Sequence, residues 1–286
     1  MAVMTQVFVA GPVAWNRLVQ LERLPDPKPH TVFARGHRAV LGGTSAGKAL
    51  NLAALGAAVT LRTVIGADEA GRAIAGALAV PGVEVIAEVV PGASERHLNL
   101  MSADGGRVSI YLDLPELGHP QHDDWALAAL AAADAAVIDL AEHSRPLLAA
   151  ARRAGVPVWC DVHDYDGAAE YHRDFVEAAD YLFLNDDGMA EPDLLAFLIA
   201  RVAAGSRAAV ATLGAQGAVA VVGGELHRVP AVPVDGVVDA NGAGDAFFSG
   251  FLVAHLGGAD APGALAAGAA QAARCLASPG LAPGRP

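Results

Sequence analysis

Two glycine-containing runs carry residue types suited to phosphate chemistry. The C-terminal one reads V-D-A-N-G-A-G-D-A-F-F-S-G from Val238 to Gly250. Gly242 and Gly244 permit a tight turn, and the apolar pattern from Ala246 to Leu256 continues as a helix. The N–H groups of Ala243, Gly244 and Asp245 therefore point out of a helix N-terminus. Such a terminus carries about half a positive charge and suits a phosphoryl group. Asp245 in the first turn would repel a bound phosphate unless it has a task there, such as taking the proton of a hydroxyl nucleophile. The plainer alternative is that it favours the helix dipole. The N-terminal run, L-G-G-T-S-A-G-K-A-L from Leu41 to Leu50, spells the phosphate-binding pattern GxxxxGK from Gly42 to Lys48. Ala49, however, stands where that loop needs a hydroxyl for magnesium. With a fuller phosphate site at 242–245, the spelling reads as a coincidence.

The elements that would hold these runs follow from periodicity. Strands are expected at Gln6–Ala10, Val59–Ile65, Ala136–Leu140, Val156–Asp161, Tyr181–Asn185 and Ala208–Leu213, with helices between them near 46–55, 68–78, 124–133, 146–154, 168–178 and 191–204. This alternation requires a doubly wound, mostly parallel sheet flanked by helices, an α/β fold. A hairpin at 219–229 and helices at 243–256 and 261–276 complete it, and the tail from Ser278 to Pro286 reads as disordered. Two stretches break the rhythm, at about 11–37 (with a strand at Thr31–Ala34) and 88–112. Their short strands are expected to pair into a small β-sheet lid on a single domain spanning 1–286.

Composition narrows the partners. Hydrophobic residues make up 53% and aromatics only 5%, so alanine, valine and leucine build the core. A net charge of −12 without a basic cluster argues against nucleic acid or an anionic membrane and favours a small molecule. Cys160 and Cys275 fit buried thiols of a reducing compartment, and no charged leader or long apolar run is seen, so a cytoplasmic protein is expected. The loop before Trp125 carries His119, His122, Asp123 and Asp124, which reads as capping and solvation more readily than as a metal site.

In its two signatures the chain resembles the PfkB, or ribokinase-like, carbohydrate kinases. D239-A240-N241-G242-A243-G244-D245 matches that family's DTxGAGD apart from Ala240. The pair Gly42-Gly43, the helix ending at Leu55-Gly56, a strand, and G66-A67-D68-E69-A70-G71 match its N-terminal signature in the expected order. T212-L213-G214-A215-Q216-G217 resembles its nucleotide loop, and Asn185 opens a segment like its NxxE. The resemblance implies transfer of the ATP γ-phosphoryl group to a hydroxyl of a sugar or sugar-like acceptor. Asp245 would be the general base, with the N–H groups of 243–245 as anion hole. Thr212, Gly214 and Gly217 would line the ATP site and Asn185 would act on Mg²⁺ through water. Asp239 would help hold a monovalent cation such as K⁺, and a homodimer through the lid is expected.

The departures fall where the acceptor should bind. Asn16 replaces the family's usual Asp, Gly47 its usual Asn, and Gly188 the Glu after Asn185, so that either Asp186 or Asp187 would serve as metal ligand or the metal would be held mainly by ATP phosphates and water. Besides Asn16, Gly42, Gly43 and Gly47, the candidates for acceptor contact are Lys48, Arg96 and Asn99. The basic pair would suit a phosphorylated or acidic acceptor. D161-V162-H163-D164 lies at the C-terminal end of a strand, where α/β clefts form. A nucleoside kinase and a non-catalytic sugar- or nucleotide-binding member of the fold are the alternatives.

Overall fold

The computed structural model describes residues 4–103, 106–117 and 123–283. Strands run in chain order as β1 (Gln6–Ala10), β2 (Ala14–Leu21), β3 (Gly36–Gly42), β4 (Ala58–Gly66), β5 (Val83–Val90), β6 (Arg96–Ser102) and β7 (Arg107–Asp113). They continue as β8 (Ala135–Ile138), β9 (Val158–Asp161), β10 (Tyr181–Asn185), β11 (Ala208–Thr212), β12 (Ala218–Val222) and β13 (Glu225–Val229). The helices are α1 (Thr44–Ala54), α2 (Glu69–Leu78), α3 (Asp123–Ala131), α4 (Arg145–Ala154), α5 (Arg173–Ala178), α6 (Glu191–Ala203), α7 (Ala243–Leu256) and α8 (Ala261–Leu276).

The large sheet has nine strands in the order β13-β12-β11-β10-β9-β8-β1-β4-β5. Every pairing from β11 across to β5 is parallel, and β12 and β13 form the antiparallel edge. Central β1 shows why the sheet is covered on both faces. Val7 and Val9 join an apolar cluster with α1, α2, α7 and α8, whereas Phe8 and Ala10 join a second cluster with α3 to α6. A parallel strand buried on both sides reads as a continuous apolar run, as V-F-V-A does. Burial of a side chain such as Phe8, which has no exposed surface, is worth roughly 1.5–3 kcal/mol.

A separate sheet of order β3-β2-β6-β7 forms the expected small layer. Its central pair, β2 and β6, is parallel, and its outer pairs are antiparallel. On β2 and β6, Asn16, Leu18, His97 and Asn99 are buried, while most of β7 is exposed.

Several boundaries differ from the sequence reading. Residues 31–34 form no strand and Phe33 is 87% exposed; the lid strand is β3, which runs on to Gly42, past the expected limit at 37. Residues 88–90 belong to β5 and hence to the large sheet. The 168–178 helix is shortened to a 3-10 turn at Glu170–His172 followed by α5. His119 and His122 lie outside the described residues. The C-terminal tail is not loose up to its last described residues. Leu281 and Ala282 are buried, and the Leu281 carbonyl accepts from Asn51 Nδ2 at 2.8 Å, with Gln271 Nε2 donating to Asn51 Oδ1 at 2.9 Å. Small residues and prolines hid this docking, because a segment held by one leucine and its backbone carbonyls has no periodic pattern to read. Cys160 and Cys275 are buried and unpaired, and no described helix is long and apolar enough to cross a membrane.

Leu281→Ala should therefore lower the stability by about 2 kcal/mol in urea-denaturation curves. A change smaller than about 0.5 kcal/mol, typical of exposed positions, would show that the tail contributes no packing.

Candidate active site

The N-terminus of α7 is prepared by Gly242, whose left-handed φ of 82° turns the chain into the helix. No side chain caps this terminus; the Ala243 N–H makes a long contact of 3.5 Å to the Ala240 carbonyl, and the N–H groups of Gly244 and Asp245, without a partner among the described residues, remain available to an anion. Asp245 stands in the first turn with its carboxylate 12% exposed. Its Oδ1 accepts the Thr44 hydroxyl at 2.5 Å and lies 3.3 Å from Lys48 Nζ. Its Oδ2 lies where a side chain at Gly47 would begin, because a Cβ there would be 2.4 Å from that oxygen. The departure at Gly47 thus has a physical cause: the space of an Asn side chain is filled by the carboxylate.

Lys48 was expected to face the acceptor, but its side chain has no exposed surface. The ammonium donates to Asp139 Oδ1 at 2.8 Å and to Thr44 Oγ1, and lies 3.3 Å from Asp161 Oδ2. Thr44 and Lys48 share a face of α1 because they are one turn apart. Ser45 donates to Asp139 Oδ2 at 2.7 Å. Asp139 directly follows β8 and Asp161 ends β9, so both carboxylates reach the cluster from the carboxyl edge of the parallel sheet, where ligands bind in open α/β folds. Burial alone would lower the Lys48 pKa, but Asp139, Asp161 and Asp245 more than offset it and hold the group protonated. Burial pushes Asp245 above the usual carboxylate range, opposed by the charge of Lys48 and the Thr44 bond. For Asp161 burial also acts upward, yet His163, Lys48 and the bonds they donate bring it below that range. His163 has a left-handed φ of 52°, uncommon outside glycine, and its N–H donates to Asp161 Oδ1 at 3.1 Å.

The lid brings Asn16 on β2 and Asn99 on β6 to the inner side, at 4% and 3% exposure. The Oδ1 atoms of both amides are buried with no hydrogen-bond partner among the described residues. Unpaired buried acceptors are costly, so they mark a place for donors. Gly42 ends β3 against the Asn16 amide, and Gly43, with φ of 89°, caps α1. Arg96 is not part of this face. It is exposed and pairs with Asp113 at 2.7 Å.

On the other side of the carboxyl edge, Asn185 and Thr212 are directly paired across β10 and β11. Gly214 and Gly217 shape the turn from β11 into β12, with φ of 52° and 94°. Asn185 Oδ1 accepts the Asp187 N–H at 3.0 Å, and Asp186 and Asp187 are exposed. Gly188 is hemmed in by backbone, since a Cβ would lie 2.3 Å from the Asp164 carbonyl oxygen. A glutamate could not stand there without moving that segment. Among the described residues no group of three or more His, Cys, Asp or Glu side chains is arranged to hold a metal. Both carboxylate oxygens of Asp239 have a partner as well. Its Oδ1 accepts the Asn241 N–H at 2.9 Å, and its Oδ2 is paired with the Arg38 guanidinium, which also donates to the Pro279 carbonyl at 3.2 Å.

A carboxylate beside an uncapped helix N-terminus, at the mouth of a lidded cleft, can accept a proton from a hydroxyl while the helix end receives a phosphoryl group. Residues 4–286 match the model of the pfkB family carbohydrate kinases. The chain belongs to this family. It is 31% identical to acarbose 7(IV)-phosphotransferase of Actinoplanes sp. over 270 residues, covering 89% of this chain and 86% of that one. It is 30% identical to the bifunctional protein HldE of Caulobacter vibrioides, covering 93% of this chain and 58% of that longer protein. Among solved structures, a microbiome-derived acarbose kinase, Mak1, superimposes with a TM-score of 0.82 at 30% identity over 96% of this chain and 93% of that one. Arabidopsis thaliana ribokinase in complex with ribose and ATP shares the fold, with a TM-score of 0.78 at 23% identity over 99% and 97% of the two chains. The protein is a carbohydrate kinase, a phosphotransferase with a hydroxyl acceptor, on a ribokinase-like fold.

The structure brings together Asp245, Gly242, Ala243, Gly244, Gly47 and Lys48 around one cluster, and Asn16, Gly42 and Asn99 around the lid. Sequence reasoning overlooked Thr44, Ser45, Asp139 and Arg38. Asp139 carried the same signal as Asp161, an acidic residue at the end of an apolar strand. The other three sit inside ordinary helix and strand patterns, and only the fold reveals their partners.

Proposed function

We propose that this kinase phosphorylates a neutral, polyhydroxylated, sugar-like acceptor at the expense of ATP, with Asp245 as general base. The observation that carries the reading is the Asp245 carboxylate in the first turn of an α7 terminus that no side chain caps. The acceptor hydroxyl gives its proton to Asp245 while its oxygen forms a bond to the γ-phosphorus, and the bond to the departing ADP oxygen breaks. The N–H groups of Ala243, Gly244 and Asp245 stabilise the charge on the phosphoryl oxygens. Asn185, Thr212, Gly214 and Gly217 line the nucleotide side, in the cytoplasm where ATP is supplied.

The buried amide oxygens of Asn16 and Asn99 fit sugar hydroxyls as donors. A phosphorylated or acidic acceptor is disfavoured, because Lys48 is buried against carboxylates and Arg96 is exposed and paired. Two relatives at about this level of identity bear acarbose in their names, which supports a sugar-like acceptor over a nucleoside. Closure of the lid would exclude water and limit ATP hydrolysis. Magnesium, when bound with ATP, neutralises phosphate charge. This chain offers it the exposed carboxylates of Asp186 and Asp187, and among the described residues no enclosed set of ligands. A monovalent cation at Asp239 does not fit, because both carboxylate oxygens are engaged and Arg38 already supplies the positive charge. Exposed Val108, Ile110 and Leu112, alternate residues of β7, offer an apolar face for a homodimer through the lid, and light scattering at the chain's monomer mass would remove that part of the proposal.

Asp245→Asn should lower kcat by about 10²–10⁴-fold, the range for a lost general base, while calorimetry shows ATP affinity nearly intact. Unchanged turnover would sink the mechanism. Across sugars, sugar phosphates and nucleosides assayed by ADP release, neutral sugars and oligosaccharides should be turned over. If no acceptor raises ADP release although ATP still binds, a non-catalytic role is favoured. Turnover should also be the same in potassium and tetramethylammonium chloride at equal ionic strength, and a strict requirement for potassium would refute the Arg38 assignment.

A further inference from the structure

Lys48 is the only lysine among the fully buried side chains of the described residues, and the phosphoryl-transfer reading does not use it. Its ammonium touches three carboxylates and one hydroxyl supplied by four separate segments. With its side chain fully buried it cannot reach an acceptor or a phosphate directly. It does reach Oδ1 of Asp245, and Thr44 donates to the same oxygen. Among the described residues no hydrogen bond falls on Oδ2, which instead lies over the bare Cα of Gly47. The two oxygens of one carboxylate are therefore made unequal by α1.

We propose that Thr44, Gly47 and Lys48 form a clamp on α1 that fixes Asp245 through Oδ1 and leaves Oδ2 as the oxygen that takes the acceptor proton. Lys48 and Thr44 are positioning residues in this scheme. Lys48 also keeps Asp245 ionised in a setting that would otherwise favour its neutral form. The titratable and charged groups near Asp245 are Lys48 from α1 and Asp161 and His163 at and beyond β9; Asp139 beyond β8 shares Lys48 with it, and the Cys275 thiol of α8 lies near both it and Asp239, which stands on the loop before α7 with its partner Arg38 from β3. Three of these are further carboxylates, so without Lys48 the neighbourhood is more strongly negative and an ionised Asp245 is less favourable. Gly47 completes the device. Any side chain there collides with Oδ2, so the clamp and the absence of a side chain at position 47 go together.

The inference rests on Asp245 acting as the base, and the test separates the two. The pH dependence of kcat is measured for the native enzyme, Lys48→Met, Thr44→Val and Gly47→Ala, with a turned-over acceptor and saturating ATP; Asp245→Asn is the control. A base must be ionised to work, so activity is present above its pKa and lost below it. Removing Lys48 raises that pKa, and the acid limb should move to higher pH by about one unit or more, with a smaller move in the same direction for Thr44→Val. KM for ATP should stay within about twofold, because the clamp lies on the acceptor side of the transfer and acts on kcat. Gly47→Ala should lower kcat by at least about tenfold although alanine is the better helix former. If Lys48→Met does not fold, Thr44→Val, which keeps the side-chain shape, decides the matter. An acid limb that does not move in Thr44→Val, or a uniform fall of kcat at every pH in Lys48→Met, overturns the clamp. If these variants behave so while Asp245→Asn is inactive, the clamp fails and the base stands. An active Asp245→Asn removes both.

Discussion

One buried ammonium decides where much of this molecule must be. Asp139, Asp161 and Asp245 arrive at a common point from the ends of β8 and β9 and the start of α7, and none of the three could be withdrawn from water there without a counter-charge. Lys48 supplies it, with hydroxyls from Thr44 and Ser45 taking further lone pairs. The register of α1 against the sheet is set accordingly. A rotation that moved Lys48 off this point would leave three carboxylates facing one another. Breaking such a buried set is far more costly than its net worth to stability, which is why a cluster of this kind fixes geometry even where it adds little to the folding free energy.

The loop before α7 is held from several sides. Arg38, on a lid strand, reaches Asp239 and the carbonyl of Pro279. The Val238 N–H donates to the Leu276 carbonyl at 2.8 Å, and the docked segment around Leu281 lies against Gly242. The small sheet, the glycine turn before α7 and the C-terminal segment therefore share contacts, although they lie far apart in sequence. Asn16 and Asn99, with their unpartnered buried amide oxygens, belong to the same small sheet as Arg38.

Most of the α/β framework was legible because period and punctuation agreed. Apolar runs of four or five residues alternated with helices bounded by glycine, and α7 and α8 begin and end where the pattern said. The glycine turn before α7 was legible for the same reason, since only a few residue types permit it. The small sheet was less so. Thr31 to Ala34 looks like a strand by composition, but strand pairing in the lid is decided by β2 and by what lies beneath it, and the chain pairs at Gly36 to Gly42 instead. The roles of Lys48 and Arg38 were hidden for a different cause. Each finds its partner 91 to 201 residues away, and charge in a local window says nothing about a carboxylate that only the closed sheet brings near. Gly47 and Gly188 read as departures from the family pattern, yet each fits a neighbour that occupies the missing side chain's volume.

The small sheet and the cluster are also joined through the chain itself. Strand β3 ends at Gly42 and α1 starts at Thr44, with Gly43 alone between them. On this side there is no slack to absorb motion. A displacement of the strand that pairs with Asn16 is handed through a single pivot to the first turn of the helix bearing Thr44. Arrival of a molecule beneath the sheet and alignment of the carboxylate at α7 are, mechanically, two ends of one lever.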